Sequence, residues 1–168
     1  MDNIILIGMP GSGKSTLGVI LARKLGYGFL DTDSFISQRE KSTLQGIIDK
    51  YGLERFLEIE SSVGSEIVCD RVIIATGGSM VMSEEAMRNL KSLGKIVYIN
   101  VPISELKRRL SDYSERGIAK NDGETLEDIF RIRSPYYEKY ADIKVSFKDG
   151  NSLEETALDI IKELESGK

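Results

Sequence analysis

The stretch Gly8-Met9-Pro10-Gly11-Ser12-Gly13-Lys14-Ser15 stands between an apolar run, Ile4-Ile5-Leu6-Ile7, and a segment from Lys14 to Leu25 in which Leu17, Ile20, Leu21 and Leu25 recur at helical spacing. It matches the phosphate-binding loop (P-loop) pattern in full, in the strand-then-helix context that the pattern requires. Glycines at 8, 11 and 13 let the chain turn sharply, so that successive backbone N–H groups can surround phosphate oxygens. The start of the following helix adds a dipole potential that favours an anion. Lys14 supplies a cation for the β- and γ-phosphates, and the Ser15 hydroxyl is a hard oxygen ligand suited to Mg²⁺. Gly11, Ser12, Gly13, Lys14, Ser15 and Thr16 are thus the predicted nucleotide contacts, with ATP and Mg²⁺ as the expected cofactors. The acceptor stays open, because nucleotide-hydrolysing switches, nucleoside monophosphate kinases and small-molecule kinases share this loop.

Outward from the loop, short β-branched runs alternate with longer segments of helical period. Strands are expected at Asn3 to Ile7, Gly28 to Leu30, Val72 to Ala75, Ile96 to Asn100 and Ile143 to Phe147. Helices are expected at Lys14 to Leu25, Leu53 to Val68, Ser83 to Leu93, Ser104 to Ser111, Thr125 to Tyr140 and Leu153 to Glu165. Gly26 reads as a C-terminal cap, and Ser83 and Ser152 read as N-caps. The alternation predicts an α/β fold of three layers, a parallel sheet between helices, in a single domain over residues 1–168. The polar stretch Asp112 to Glu124 resists regular assignment and reads as a mobile surface loop.

Bulk properties narrow the chemistry. A chain of 168 residues with 40% apolar composition can build one core. Its net charge of -4 provides no general field for a polyanion, so no nucleic-acid partner is expected and any bound anion must be held locally. No run approaches the length needed to cross a bilayer, and the N-terminus lacks the basic flank of a signal peptide. With Cys69 alone there is no disulfide framework, which fits a cytoplasmic protein. There is no histidine, so acid and base work falls to carboxylates.

At the end of the second strand, Asp31-Thr32-Asp33 would sit at the carboxyl edge of the sheet, where ligands of open α/β sheets bind. One carboxylate can hold the metal while the other, Asp33, orients an acceptor hydroxyl or takes its proton. The competing reading is that Asp31 or Asp33 caps a following helix. The third strand runs into Thr76-Gly77-Gly78-Ser79, where adjacent glycines permit close approach to a ligand or simply make a turn. Arg116, in the irregular loop, and Arg133 can each grip a carboxylate or phosphate with two parallel bonds. Either can equally be a solvated surface arginine.

Taken together, the loop GMPGSGKST, Asp31-Thr32-Asp33, Phe56 with Glu60, Ala75-Thr76-Gly77-Gly78, Arg109 followed by Arg116, and the run from Arg133 through Pro135 and Tyr137 to Ala141-Asp142 resemble the shikimate kinases. The resemblance implies a nucleoside-monophosphate-kinase-like fold with a five-stranded parallel sheet, a substrate-binding region at 34–60 and a lid at 112–124. It implies that Lys14 and Ser15 serve phosphate and Mg²⁺, with Asp31 near the metal, and that Lys14, Asp33 and Arg116 form the catalytic set. Asp33, Phe56, Gly77, Gly78 and Arg133 would contact the acceptor. Arg109 would lie against the adenine, and Arg116 would reach the phosphates on closure.

The departures lie on the acceptor side. The family's arginine after the phenylalanine is Leu57 here, and Arg55 would point about 200° away around the helix. The triple glycine has become Gly77-Gly78-Ser79, Arg-Pro-Leu-Leu of the lid has become Arg116-Gly117-Ile118-Ala119, and a glutamate has become Leu53. Loss of one charged hydrogen bond predicts roughly ten- to a hundredfold weaker shikimate binding. The expected activity is ATP-dependent phosphorylation of shikimate to shikimate 3-phosphate. The alternatives are a related kinase for another hydroxy acid, sugar acid or polyol, and a non-catalytic ATP-binding module. Protein partners cannot be read from the sequence.

Overall fold

Five consecutive buried residues make Asn3–Ile7 a central strand, β1, since only a strand covered on both faces can be apolar without alternation. The computed structural model describes residues 3–110 and 118–166. On either side of β1 lie β3 (Val72–Ala75) and β4 (Gly94–Asn100), with β2 (Gly28–Asp31) and β5 (Ile143–Ser146) at the edges. The order is β2-β3-β1-β4-β5, and every pairing is parallel. Parallel neighbours require crossovers, and the helices supply them. All five expected strands form. β4 begins two residues earlier than expected, β2 extends to Asp31 and β5 stops one residue short.

Helix α1 (Lys14–Leu25) ends at Gly26, whose φ of 68 needs no side chain and whose N–H donates to the Ala22 carbonyl. Between β2 and β3 come α2 (Thr32–Glu40), α3 (Leu44–Tyr51) and α4 (Leu53–Glu66). Helix α2 was expected only in the reading that made Asp31 or Asp33 a cap, α3 was not expected, and α4 ends two residues earlier than expected, leaving Cys69 beyond it in a partly buried connection. Next come a 3-10 turn at Met80–Met82, α5 (Glu84–Leu93) capped by the Ser83 side chain, and α6 (Ile103–Leu110). Further along the chain are α7 (Leu126–Tyr140) and α8 (Leu153–Ser166), with Ser152 bonded to the Glu155 N–H as expected of a cap.

Two apolar clusters divide the interior. The larger joins both faces of the sheet to α1, α5, α7 and α8. The smaller consists of Ile36, Ile47, Phe56, Ile59, Val63 and Ala119, so the 34–60 region is a helical unit with a core of its own. No helix among the described residues is long and apolar enough to cross a membrane.

Candidate active site

The turn after β1 adopts the geometry that its glycines allow: Gly11 and Gly13 have φ of 78 and 91, and α1 starts with no side chain capping its first N–H groups. Those amides are free for an anion. The Lys14 ammonium folds back over the turn, donating to the carbonyls of Gly8 and Met9, both at 2.8 Å, and to Ser12 Oγ at 3.3 Å. Burial lowers its pKa from 10.5 to about 8, with Asp33 and Asp31 opposing, so it remains a cation at neutral pH. Ser12 is buried within the turn, while Ser15 and Thr16 are exposed at its mouth.

Asp31 plays both parts that the sequence left open. Its Oδ1 accepts from the Ser34 N–H at 3.0 Å as the N-cap of α2, and its Oδ2 accepts from Ser15 Oγ. Asp33 stands in the first turn of α2 and is not the cap. Burial, with the neighbouring Asp31 charge, raises its pKa to about 6 against the pull of Lys14. Thr32 between them is fully buried and accepts from the Gly77 N–H at 2.9 Å, which ties the α2 start to the loop after β3.

One cavity of about 1110 Å³ opens between the P-loop turn and α2; Ser12, Asp31 and Thr32 do not line it. Gly11, Gly13, Lys14, Ser15, Thr16, Asp33, Phe56, Gly78, Arg109 and Arg133 all line it. Gly77 lies behind that wall with its N–H committed to Thr32. Arg133, 6% exposed, bonds the Ala119 carbonyl through Nη2 and sets Nη1 beside Gly78. Elsewhere on the cavity wall, Arg109 is fixed in place: it bonds Glu105 at 2.8 Å and the Gly11 carbonyl at 3.0 Å, with its guanidinium 5.1 Å from the Phe147 ring centroid. Arg116 lies outside the described residues, as do residues 112–117 of the expected lid; Ile118 and Ala119, further along it, line the cavity.

Sequence reasoning assigned no role to Tyr137, Glu60 or Ser79. Tyr137 Oη donates to the Gly78 carbonyl at 2.7 Å and stacks on Tyr98 at 5.2 Å, fixing the glycine loop. Glu60, 2% exposed, accepts from the buried Ser79 hydroxyl, and burial raises its pKa to about 7. The signals for Glu60 were its place in the family resemblance beside Phe56 and a carboxylate on the apolar face of a helix. Leu57 does not line this cavity; it packs against the smaller core and borders a neighbouring hollow of about 610 Å³ behind Glu60 and Ser79. Arg55 points to solvent, paired with Glu58 at 2.8 Å.

A family model described as shikimate kinase matches residues 10–165. The chain belongs to the shikimate kinase family. A shikimate kinase of Clostridium botulinum (strain Okra / Type B1) is 38% identical over 143 residues, 83% of this chain and 84% of that protein. One from Thermodesulfovibrio yellowstonii is 36% identical over 168 residues, 98% of this chain and 96% of the relative. A solved shikimate kinase from Acinetobacter baumannii, in complex with shikimate, has a TM-score of 0.92 at 29% identity, covering 100% of this chain and 95% of that one. The shikimate kinase fold therefore extends over the whole chain, including the helical unit that carries Leu57 and Glu60.

Proposed function

We propose that this chain transfers the γ-phosphoryl group of ATP to a hydroxyl of shikimate, giving shikimate 3-phosphate and ADP. The observation that carries the reading is one cavity lined together by the P-loop turn, the Asp33 carboxylate and the Arg133 guanidinium. Backbone N–H groups of the turn and Lys14 hold the phosphates and stabilise charge on the transferring group. Arg109, over the Phe147 ring, is the surface on which the nucleobase would rest. Arg133 takes the acceptor's carboxylate, and Asp33 aligns the attacking hydroxyl. As the oxygen–phosphorus bond forms and the bond to the β-phosphate oxygen breaks, the hydroxyl proton passes to Asp33, which is ionised at neutral pH.

Among the described residues no group of three histidine, cysteine or carboxylate side chains is placed to enclose a metal. Ser15 Oγ beside the Asp31 carboxylate is instead the sparse oxygen set that suits Mg²⁺, which keeps waters and shares phosphate oxygens. When bound there, Mg²⁺ would supply neutralisation of phosphate charge. The lone Cys69 fits a reducing compartment, and the cytoplasm is the proposed location.

The test is shikimate-dependent ADP release with identification of the product as the 3-phosphate. Turnover is expected with shikimate, and background rates with normal ATP binding would remove shikimate as the acceptor. Leu57 favours a second reading, a different hydroxy acid or polyol, which the same assay checks on an acceptor panel.

A further inference from the structure

Two glycines after β3 touch the phosphate turn and both groups assigned to the acceptor. A Cβ built on Gly77 would collide with Asp33 Oδ1 at 2.5 Å, and one built on Gly78 would lie 2.9 Å from Pro10 Cδ and 3.1 Å from Arg133 Nη1. The loop backbone is therefore packed against Asp33 at one residue and against Pro10 of the phosphate turn and Arg133 at the next. Any shift of the loop changes the spacing of these three.

Glycine backbone does not hold such a place by itself, because it has no side chain to pack and a wide choice of conformations. Two side chains hold it from outside. The Gly77 N–H donates to Thr32 Oγ1 at 2.9 Å, and the Gly78 carbonyl accepts from Tyr137 Oη at 2.7 Å. Thr32 directly precedes Asp33 on α2, and Tyr137 lies one turn after Arg133 on α7, so each bond ties the loop to the helix that carries one of the functional side chains. Thr32 is 0% and Tyr137 1% exposed, so bulk water cannot take over either bond. Neither residue lines the cavity, so both act through the loop and not on a ligand.

We propose that Thr32 and Tyr137 are positioning residues of phosphoryl transfer: through the glycine loop they fix the acceptor hydroxyl at Asp33 relative to the phosphate turn, so that the phosphoryl group goes to the acceptor and not to water. In the competing hydrolysis a water oxygen forms the bond to phosphorus, the bond to the β-phosphate oxygen breaks, and ADP, phosphate and a proton leave. The proposal rests on reading this cavity as the acceptor site for shikimate.

The test compares wild type, Thr32→Val, Thr32→Ser and Tyr137→Phe. It measures kcat per ATP-binding site, KM for each substrate, and the shikimate 3-phosphate formed per ADP released. Thr32→Val keeps the shape and removes the oxygen that accepts from Gly77. It should lower kcat about 10- to 10²-fold and leave KM for ATP within about twofold, because a small misplacement of the reacting group is enough to cost that much. Its yield of 3-phosphate per ADP should fall from about one to below about one half, since water then competes with a poorly placed hydroxyl. Thr32→Ser keeps the oxygen and should stay within about threefold of wild type in kcat, with the yield restored. Tyr137→Phe should change both quantities in the direction of Thr32→Val. A purely structural role would lower the amount of folded protein and leave kcat per ATP-binding site and yield unmoved. Should Thr32→Val fail to bind ATP, Tyr137→Phe decides on the same quantities. Wild-type kcat and yield in the variants that bind ATP, or a Thr32→Ser as impaired as Thr32→Val, overturn the proposal while shikimate remains the acceptor. A wild type that transfers no phosphate to shikimate removes the acceptor reading and the proposal with it.

Discussion

Asp33 is caught between two pulls. Burial and the Asp31 charge favour its neutral form, Lys14 favours its ionised form, and the balance near pH 6 leaves a carboxylate at neutral pH that is more basic than usual. If it takes the hydroxyl proton, acceptor kcat/KM should fall about tenfold per pH unit below roughly pH 6, and Asp33→Asn should lose about 10² to 10⁴ in rate with ATP affinity preserved. A pH–rate profile alongside nucleotide titration checks both, and a flat acid limb would assign Asp33 to binding alone. Lys14 and Ser15 were legible because the P-loop pattern carries its chemistry in its spacing, Asp33 stood out by its place at the carboxyl end of a strand, and Arg133 was picked out through the family resemblance; the structure brings all four to one cavity. Glu60 and Tyr137 stood out as part of the family resemblance, but what they do was not legible. Their roles depend on Ser79 and the Gly78 carbonyl, 19 and 59 residues away, and no local pattern shows a partner at that distance.

Helix α7 carries Arg133 and Tyr137 one turn apart, so both the proposed acceptor grip and the support of the glycine loop depend on where this helix starts. Its start is fixed by a capping box: Thr125 Oγ1 accepts from the Asp128 N–H at 3.2 Å, and Asp128 accepts from the Thr125 N–H at 3.0 Å. Thr125→Ala should cost about 1 kcal/mol. That corresponds to a melting temperature lower by about 2–4 °C for a chain of this size. Thermal unfolding measures it, and no change would mean that packing alone sets the register of α7. The elements that were legible are those long enough to repeat their period or those buried on both faces. The strands β1 and β3 read as uninterrupted apolar runs, and α1 and α4 show several turns of apolar spacing. Helix α2 buries only Thr32 and Ile36, and α3 buries only Ile47, so neither offers a repeat to detect. They are held as helices by their caps, Asp31 and Thr43, and by packing on Phe56, Ile59 and Val63. A one-turn pattern cannot announce such tertiary support.

Across the whole molecule, three buried titratable groups in one cavity set a pH dependence of folding. Asp33 is raised from 3.8 to about 6 and Glu60 from 4.5 to about 7. As pH climbs from about 4 to 7, the unfolded chain releases these protons before the native state does, so the native state binds more protons and its stability falls through that window. Lys14, lowered from 10.5 to about 8, acts in the opposite sense: between about 8 and 10.5 the unfolded chain holds a proton that the native chain lacks, and stability rises with pH. The contribution of this site to stability is therefore lowest near pH 7 to 8, where the proposed chemistry has Asp33 ionised and Lys14 charged together. Glu60→Gln removes one of the groups without changing its shape. It should flatten the fall between pH 5 and 7 and stabilise the unliganded protein at pH 8 by up to about 3 kcal/mol, because a tenfold difference in proton affinity between the native and unfolded chains is worth about 1.4 kcal/mol. Urea unfolding at pH 5, 6.5 and 8 for both proteins makes the comparison, and parallel pH slopes would show that Glu60 is not the group responsible.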